Sequence, residues 1–102
     1  MKMNTASRLA ILANLPEQGT VLEMISKRNI RKKIDFTSEE FAKLNLKENN
    51  GRITWTPGTS RIIDVEFNDA EKVLLKSIIN IMDNKHIITD NLLDFINELQ
   101  QQ

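Results

Sequence analysis

The densest group of like charges in the sequence is the basic segment K-R-N-I-R-K-K at residues 27–33. Its cations are Lys27, Arg28, Arg31, Lys32 and Lys33. On a helix, side chains three and four positions apart are neighbours, so Arg28, Arg31 and Lys32 form one patch. Lysine and arginine bind phosphates and carboxylates, which makes this segment a candidate contact surface for nucleic acid or an acidic protein. The alternative is a solvated helix end, where the helix dipole favours cations.

The sequence contains little that could support acid–base, nucleophilic or metal chemistry. His86 is the only histidine and there is no cysteine, so no second nitrogen or thiolate can complete a zinc site. His86 is expected to lie at the end of the long helix before it. The glycines form no phosphate-binding loop. We therefore predict that the protein is not an enzyme and has no cofactor, metal or catalytic residues.

A cluster of acidic residues in the second half of the chain is the remaining candidate for cation binding. Asp64 and Glu66 share the outer face of a predicted strand and lie close in sequence to Asp69. The ordinary interpretation is a solvated sheet face whose carboxylates pair with Arg52 or Lys47 on neighbouring strands. We favour that interpretation over a metal site.

The composition is that of one globular domain, 1–102, with 40% apolar and 27% charged residues. Fourteen basic residues balance fourteen acidic ones, and a net charge of zero makes nucleic-acid binding the less favoured function. No apolar run approaches the roughly 20 residues needed to cross a bilayer. The short apolar patch near the N-terminus is interrupted by Arg8 and Asn14 and does not resemble a signal peptide. We expect a cytoplasmic protein that does not enter membranes.

Capping residues and apolar spacing predict two helices in the first third of the chain. Thr5 or Ser7 should cap the first helix, which should run through Leu15. Thr20 and Glu23 have the spacing of a capping box, which starts a second helix that carries the basic segment. The apolar positions of this second helix are Val21, Met24, Ile25, Ile30 and Ile34.

The segment D-F-T-S-E-E-F-A-K-L gives the sharpest local signal. Thr37 or Ser38 should cap a short third helix, and Thr37 with Glu40 repeats the capping-box spacing. Phe36 and Phe41 occupy the two positions that a hydrophobic staple brings together.

Two further helices are predicted in the last third of the chain. Asn68 or Asp69 should cap a long helix over 69–84, and Thr89 a final one. The long helix has a very wide apolar surface, formed by Val73, Leu74, Leu75, Ile78, Ile79, Ile81 and Met82. The final helix could cover this surface, or part of it could form the seam of a homodimer.

Alternating apolar and polar residues between Leu44 and Phe67 predict a three-stranded antiparallel meander. Asn50-Gly51 is typical of a two-residue hairpin turn, and Pro57-Gly58 of a longer loop. The predicted fold class is therefore α+β, with this meander packed against four or five helices.

The same alternation assigns side chains to the two faces of the meander. Trp55 and Ile53 are expected on the face that the helices cover. Ile62 is expected on the outer face and joins the basic segment as a candidate interaction residue.

Three helices followed by a hairpin is also the order of a winged-helix domain, with Lys47–Thr54 as the wing. The third helix, however, presents Glu39 and Glu40 where DNA phosphates would lie. A winged-helix-like nucleic-acid-binding regulator that uses residues 27–33 is therefore the alternative function, and not the leading one.

Three short motifs, L-P-E-Q-G at 15–19, F-T-S-E-E-F at 36–41 and I-T-W at 53–55, resemble small uncharacterised open reading frames of bacteriophages and prophages. The resemblance spans about half of the chain. It implies a small cytoplasmic protein in a bacterial host that serves as an accessory or host-interaction factor. Together with the residue-level analysis, it predicts a non-enzymatic protein-binding or regulatory module with a protein partner or a second copy of itself.

Overall fold

The computed structural model of the chain describes residues 1–49, 52–55 and 62–101. Most of these residues are helical. The helices are α1 (Thr5–Ala13), α2 (Val21–Ile34), α3 (Ser38–Leu44), α4 (Asp69–Asn84) and α5 (Leu93–Gln100), with a 3-10 turn at Asp90–Leu92. The strands are short: β1 (Lys2–Met3), β2 (Lys47–Asn49), β3 (Arg52–Thr54) and β4 (Ile63–Asp64).

The strands form two separate antiparallel pairs. Strand β2 pairs with β3, and Lys47 lies opposite Thr54. Strand β4 pairs with β1 at the other end of the sequence, and Ile63 lies opposite Met3. The predicted three-stranded meander is therefore wrong, and so is the α+β class built on it. The fold is mainly helical with two small ladders.

The predicted faces of the side chains near β4 are correct, although the predicted pairing partner of this strand is wrong. Val65 is buried and its N–H donates to the Met1 carbonyl at 2.8 Å, while Phe67 is buried beyond it. Ile62 is exposed, as the period of two predicts. Periodicity gives the face of a strand but does not identify its neighbour, and here the neighbour comes from the distant N-terminal segment.

The hairpin of β2 and β3 does not present a fully covered apolar face. Ile53 is exposed and Trp55 is half-buried. The prediction that helices cover both side chains is therefore wrong. The predicted turns at Asn50-Gly51 and Pro57-Gly58 lie outside the described residues.

Capping boxes set the starts of three helices. The box of Thr20 and Glu23 begins α2, and that of Thr37 and Glu40 begins α3, as predicted. A third box begins α4, where Asn68 is the cap. In each box the N3 carboxylate accepts from the cap N–H and the cap side chain accepts from the N3 N–H.

Other helix ends differ from the prediction. Helix α1 is capped by Asn4, whose side chain accepts from the Ser7 N–H at 2.8 Å, and it ends at Ala13 instead of Leu15. Thr89 precedes the 3-10 turn and makes no capping hydrogen bond through its side chain. The staple is confirmed, because the Phe36 and Phe41 rings meet edge to face at 6.1 Å.

Helices α2 and α4 pack against each other and carry much of the hydrophobic core. Five apolar side chains of α4 are buried: Leu74, Leu75, Ile78, Ile79 and Met82. Ile30 and Ile34 of α2, with Phe95 and Leu99 of α5, belong to the same cluster. The C-terminal half of α2 is therefore fixed against the core, which determines how the rest of this helix is presented. Over the described ranges, no helix combines the length and apolarity needed to cross a membrane.

Candidate interaction surface

The apolar side chains of helix α2 lie on two opposite sides of the helix. Ile30 and Ile34 are fully buried, whereas Val21 and Ile25 are 78% and 52% exposed. Each exposed residue precedes one of the buried pair by nine positions, and at about 100° per residue this rotation places them half a turn apart. The five apolar positions read from the sequence therefore cannot belong to one inward face.

The exposed side forms a continuous stripe that changes character along the helix. Val21, Ile25, Arg28 and Lys32 follow helical spacing along one line. Leu22 and Arg31 flank this line and are also exposed. We call these six residues the outer face of α2. Its N-terminal half is apolar and its C-terminal half is cationic.

The outer face carries three cations, Arg28, Arg31 and Lys32. Among the described residues, no carboxylate forms an ion pair with Arg28, Arg31 or Lys32. All three side chains are exposed, and Lys27 is half-buried. Their position near the helix C-terminus is favourable for positive charge, and their charges are available to an acidic group from outside.

Lys33 does not belong to this outer face. Its ammonium contacts Glu71 Oε1 at 2.6 Å and donates to the Glu66 carbonyl at 2.9 Å. It also lies 5.6 Å from the centre of the Phe67 ring. Because Glu71 is 1% exposed, this lysine serves as the counter-ion of a buried carboxylate. The basic segment 27–33 therefore divides into an internal contact and an exposed patch.

Ile62 is 68% exposed, but it lies in the segment that leads into β4 and not on α2. The structure thus places this candidate interaction residue on a different element from the basic patch. It is a single exposed apolar side chain, which is ordinary at a protein surface.

A hollow of about 350 Å³ lies on the apolar half of the outer face. It is lined by Gly19, Val21, Met24, Ile25, Arg28 and Asn29. Its apolar side chains come from the first two turns of α2, and its polar groups come from the next turn. This gives the outer face a concave portion as well as an exposed ridge.

Arg8 is the residue of structural importance that sequence analysis missed. It is 2% exposed, and its guanidinium donates to the Ile34 and Asp35 carbonyls at 2.9 and 3.0 Å. It also binds both carboxylate oxygens of Glu40, at 2.7 and 3.2 Å, and lies 3.9 Å from the Phe36 ring centre. The signal available in the sequence was its position three residues before Ile11, on the same side of α1.

The contacts of Arg8 fix the C-terminal end of α2 to both neighbouring helices. The last carbonyls of a helix have no intrahelical donors, and Arg8 supplies two of the missing hydrogen bonds. The outer face is therefore carried by a helix that is held by Arg8 at one end and by a capping box at the other.

The carboxylates considered for cation binding have other surroundings. Asp64 accepts a hydrogen bond from the Met1 ammonium at 2.8 Å. This hydrogen bond, with the charges of the ammonium and of Lys2, lowers the pKa of Asp64 below its usual value of 3.8. The hydrogen-bond partner shown for Asp64 is thus the terminal ammonium, and the cation opposite it on the paired strand is Lys2. Within the described parts of the chain, no three His, Cys, Asp or Glu side chains are grouped to hold a metal.

His86 is exposed and lies just beyond the end of α4. Its backbone is left-handed, with φ at 60°, and its N–H donates to the Asp83 carbonyl at 3.0 Å. This backbone contact matches the helix-ending position predicted for it.

Comparisons of this chain with protein-family models, with curated proteins and with solved structures give no match.

Proposed function

We propose that the chain is a non-enzymatic protein-binding module of the cytoplasm whose docking surface is the outer face of α2. The single observation that carries this proposal is the adjacency of three exposed apolar side chains and three exposed cations that form no ion pair with the described residues. The partner is a protein surface that places apolar side chains beside carboxylates.

The apolar half of the outer face supplies affinity. Val21, Leu22 and Ile25 are all more than half exposed, and each Å² of apolar surface removed from water contributes about 25 cal/mol. These residues occupy successive turns of a helix that is fixed against the core. Docking therefore requires little rearrangement, which lowers the cost of binding.

The cationic half supplies orientation and selectivity. Complementary charges speed association and disfavour wrong partners. Arg28, Arg31 and Lys32 would meet carboxylates while Val21 and Ile25 meet apolar side chains. A partner that places apolar side chains and carboxylates in the same order along its surface contacts the whole outer face. A purely apolar or purely acidic partner makes favourable contacts with only half of it.

The buried charged side chains support a non-enzymatic role. Arg8 binds the end of α2 and Glu40, and Glu71 binds Lys33 while it completes the cap of α4. Each of these contacts holds helices in place.

Homodimerisation through α4 is the weaker form of protein binding. Five of the seven apolar residues expected on the wide surface of α4 lie in the core of the monomer, and Val73 and Ile81 are the exposed ones. Light scattering over a wide concentration range tests it directly. A dimer that the Val73→Asp variant dissociates would move the docking surface from α2 to α4.

The resemblance to phage and prophage reading frames supports a bacterial host protein as the partner. We therefore propose a phage-encoded accessory or host-interaction factor. Nucleic-acid binding through Lys27 and the outer-face cations is the alternative, and it leaves the apolar half of the outer face without a role.

The test compares capture from bacterial lysate by the wild-type protein and by three immobilised variants. Ile25→Asp disrupts the apolar half of the outer face, and Arg28→Glu the cationic half. Val73→Asp is the matched control, because Val73 is also an apolar residue that is more than half exposed, and it lies on a different helix. Circular dichroism melts confirm that every variant is folded.

We expect wild type and Val73→Asp to capture the same proteins and the two α2 variants to lose them. Capture that Ile25→Asp leaves unchanged would contradict the proposal. Capture that nuclease treatment abolishes, that falls steeply with salt and that depends on Arg28 but not on Ile25 would establish the nucleic-acid alternative instead.

A further inference from the structure

We infer that the hollow beside Gly19 is the anchor pocket of this surface, which takes one apolar side chain of an acidic helix while Arg28 binds a carboxylate of the same helix. The inference rests on the proposed function. It goes further in naming the part of the outer face that selects the partner and the chemistry that it selects.

The hollow is large enough to hold one large apolar side chain. Its volume of about 350 Å³ lies at the lower end of the range of roughly 300 to 1,000 Å³ that is typical of small-molecule sites. The lining includes the exposed side chains of Val21 and Ile25 and the half-buried Met24. Methionine adapts its shape to an inserted group more readily than branched residues do, which suits an anchor site.

Gly19 lines the hollow at the start of α2. It lies just before the capping residue Thr20, and a Cβ atom built at this position would come within 3.3 Å of the Glu23 side chain. A larger residue there would require the Glu23 side chain, which completes the capping box, to shift by a few tenths of an ångström. The absence of a side chain at this position therefore leaves Glu23 free to complete the capping box.

Arg28 gives the hollow a charged end. Its guanidinium has no carboxylate partner among the described residues, and Asn29 adds a side-chain amide beside it. Arginine binds a carboxylate through two parallel hydrogen bonds, which fixes direction as well as charge. An apolar group inserted beside Ile25 is thus favoured when it carries a carboxylate about one turn further along.

The partner element that fits this arrangement is a helix. The backbone groups within α2 are already used in its own hydrogen bonds, so an added β-strand has no edge to pair with. From Val21 to Lys32 the stripe covers about 16 Å, or three turns. An amphipathic helix laid along it can place an apolar anchor at one end and acidic residues at helical spacing towards the other.

A minimal chemical probe separates the apolar and acidic requirements. Octanoate, octanol and octylammonium share one alkyl chain and differ only in their head groups. We would follow the methyl resonances of Val21, Met24 and Ile25 in NMR titrations of the intact protein with each compound. The variants are Arg28→Gln, which removes the charge at similar size, Ile25→Ala, which removes part of the wall, and Val73→Ala as the control.

We expect octanoate to bind about threefold more tightly than octanol, the factor typical of a favourable exposed ion pair, and octylammonium to bind most weakly. Arg28→Gln should abolish the preference for octanoate. Ile25→Ala should weaken the binding of all three compounds. Val73→Ala should change neither the preference nor the affinities. Equal binding of the three head groups, or methyl shifts located elsewhere in the protein, would overturn the inference.

Competition distinguishes failure of the inference from failure of the proposed function. If a lysate protein depends on the outer face but saturating octanoate does not displace it, the hollow is not the anchor pocket and the proposed function stands. If octanoate binds as expected but no captured protein depends on α2, the proposed function fails and the anchor assignment fails with it. Displacement of an α2-dependent partner by octanoate, but not by octylammonium, supports both.

Discussion

Helices α2 and α4 pack against each other but distribute their apolar side chains differently. In α4, five of seven apolar side chains from the predicted surface face the core. In α2, the last turns contribute Ile30 and Ile34 to the core, and the first turns expose Val21, Leu22 and Ile25. The apolar residues of α4 build the monomer, whereas α2 divides its apolar residues between the monomer and a surface.

This difference shows that apolar content alone does not reveal which helix has surface available for binding. The 69–84 segment is richer in apolar residues than α2, and the sequence therefore suggested that its apolar surface could extend beyond the core and form part of a binding surface. The structure places the larger cluster of exposed apolar residues on α2, whose sequence is mixed with charges. The angular positions of the apolar residues around the helix determine how many of them are exposed, whereas their total number does not.

The largest effect on stability is expected at the contact that fixes the end of α2. Arg8→Met removes the buried cation, so the Ile34 and Asp35 carbonyls and the Glu40 carboxylate lose the hydrogen bonds that Arg8 donates to them. Removing one member of a buried ion pair typically lowers the free energy of unfolding by about 4 kcal/mol. Urea denaturation followed by circular dichroism measures the loss.

Glu40→Gln is the companion variant for Arg8→Met. Glutamine can still complete the capping box with Thr37, so only the charge of the pair is lost, and the destabilisation should be smaller. Equal stability of Arg8→Met and wild type would show that Arg8 does not hold α2.

The next effect tests the division between core and surface directly. Leu75→Ala in α4 removes a fully buried side chain and should lower the free energy of unfolding by about 3 kcal/mol, because a cavity replaces it. Ile25→Ala in α2 should change stability by no more than about 0.5 kcal/mol. Similar losses for the two variants in urea titrations would place Ile25 in the core and remove the outer face.

A smaller effect distinguishes the two adjacent lysines at the end of α2. Lys33→Met removes the counter-ion of buried Glu71, and since Lys33 is itself partly exposed we expect a loss of about 1 to 2 kcal/mol. Lys32→Met removes an exposed cation and should alter stability by less than about 0.5 kcal/mol. Thermal melts of both variants provide the measurement. A reversed order would contradict the assignment of Lys33 as the counter-ion of Glu71 and of Lys32 to the outer face.

The smallest expected effect concerns the ion pair of the Met1 ammonium and Asp64, which lies outside both α2 and α4. The Met1 ammonium lowers the folded-state pKa of Asp64, so this contact stabilises the protein above the unfolded-state pKa. The contribution is lost as the pH falls through the lowered folded-state pKa. NMR titration should place the Asp64 midpoint below 3.8. Acetylation of the terminal amine should raise it, and an unchanged midpoint would contradict the ion pair.

Local features of the fold were predictable because their causes are local. The boxes at Thr20 and Thr37 join residues three positions apart, and the Phe36–Phe41 staple spans five. Their hydrogen bonds and ring contact depend only on the adjacent backbone. The start of α2 follows from such a signal.

The strand pairing and the buried cation were not predictable in the same way. Met3 lies opposite Ile63, and Arg8 binds Glu40, so each contact joins distant parts of the sequence. Alternation correctly assigned Ile62 and Val65 to opposite faces but could not choose between β3 and β1 as the neighbour of β4.

The candidate surface was half predictable. The basic patch at Arg28, Arg31 and Lys32 follows from spacing alone. The exposure of Val21 and Ile25 requires knowing that Ile30 and Ile34 define the inward side, which only packing against α4 establishes. The separation of nine residues was present in the sequence and would have excluded a single apolar face.

Glu40 and Glu71 each complete a capping box and also bind a cation from another helix, Arg8 in one case and Lys33 in the other. Initiation of α3 and α4 is thereby coupled to the assembly of the tertiary structure, since one carboxylate participates in both. These two glutamates therefore increase the cooperativity of folding. Loosening a single one of them weakens secondary and tertiary order together.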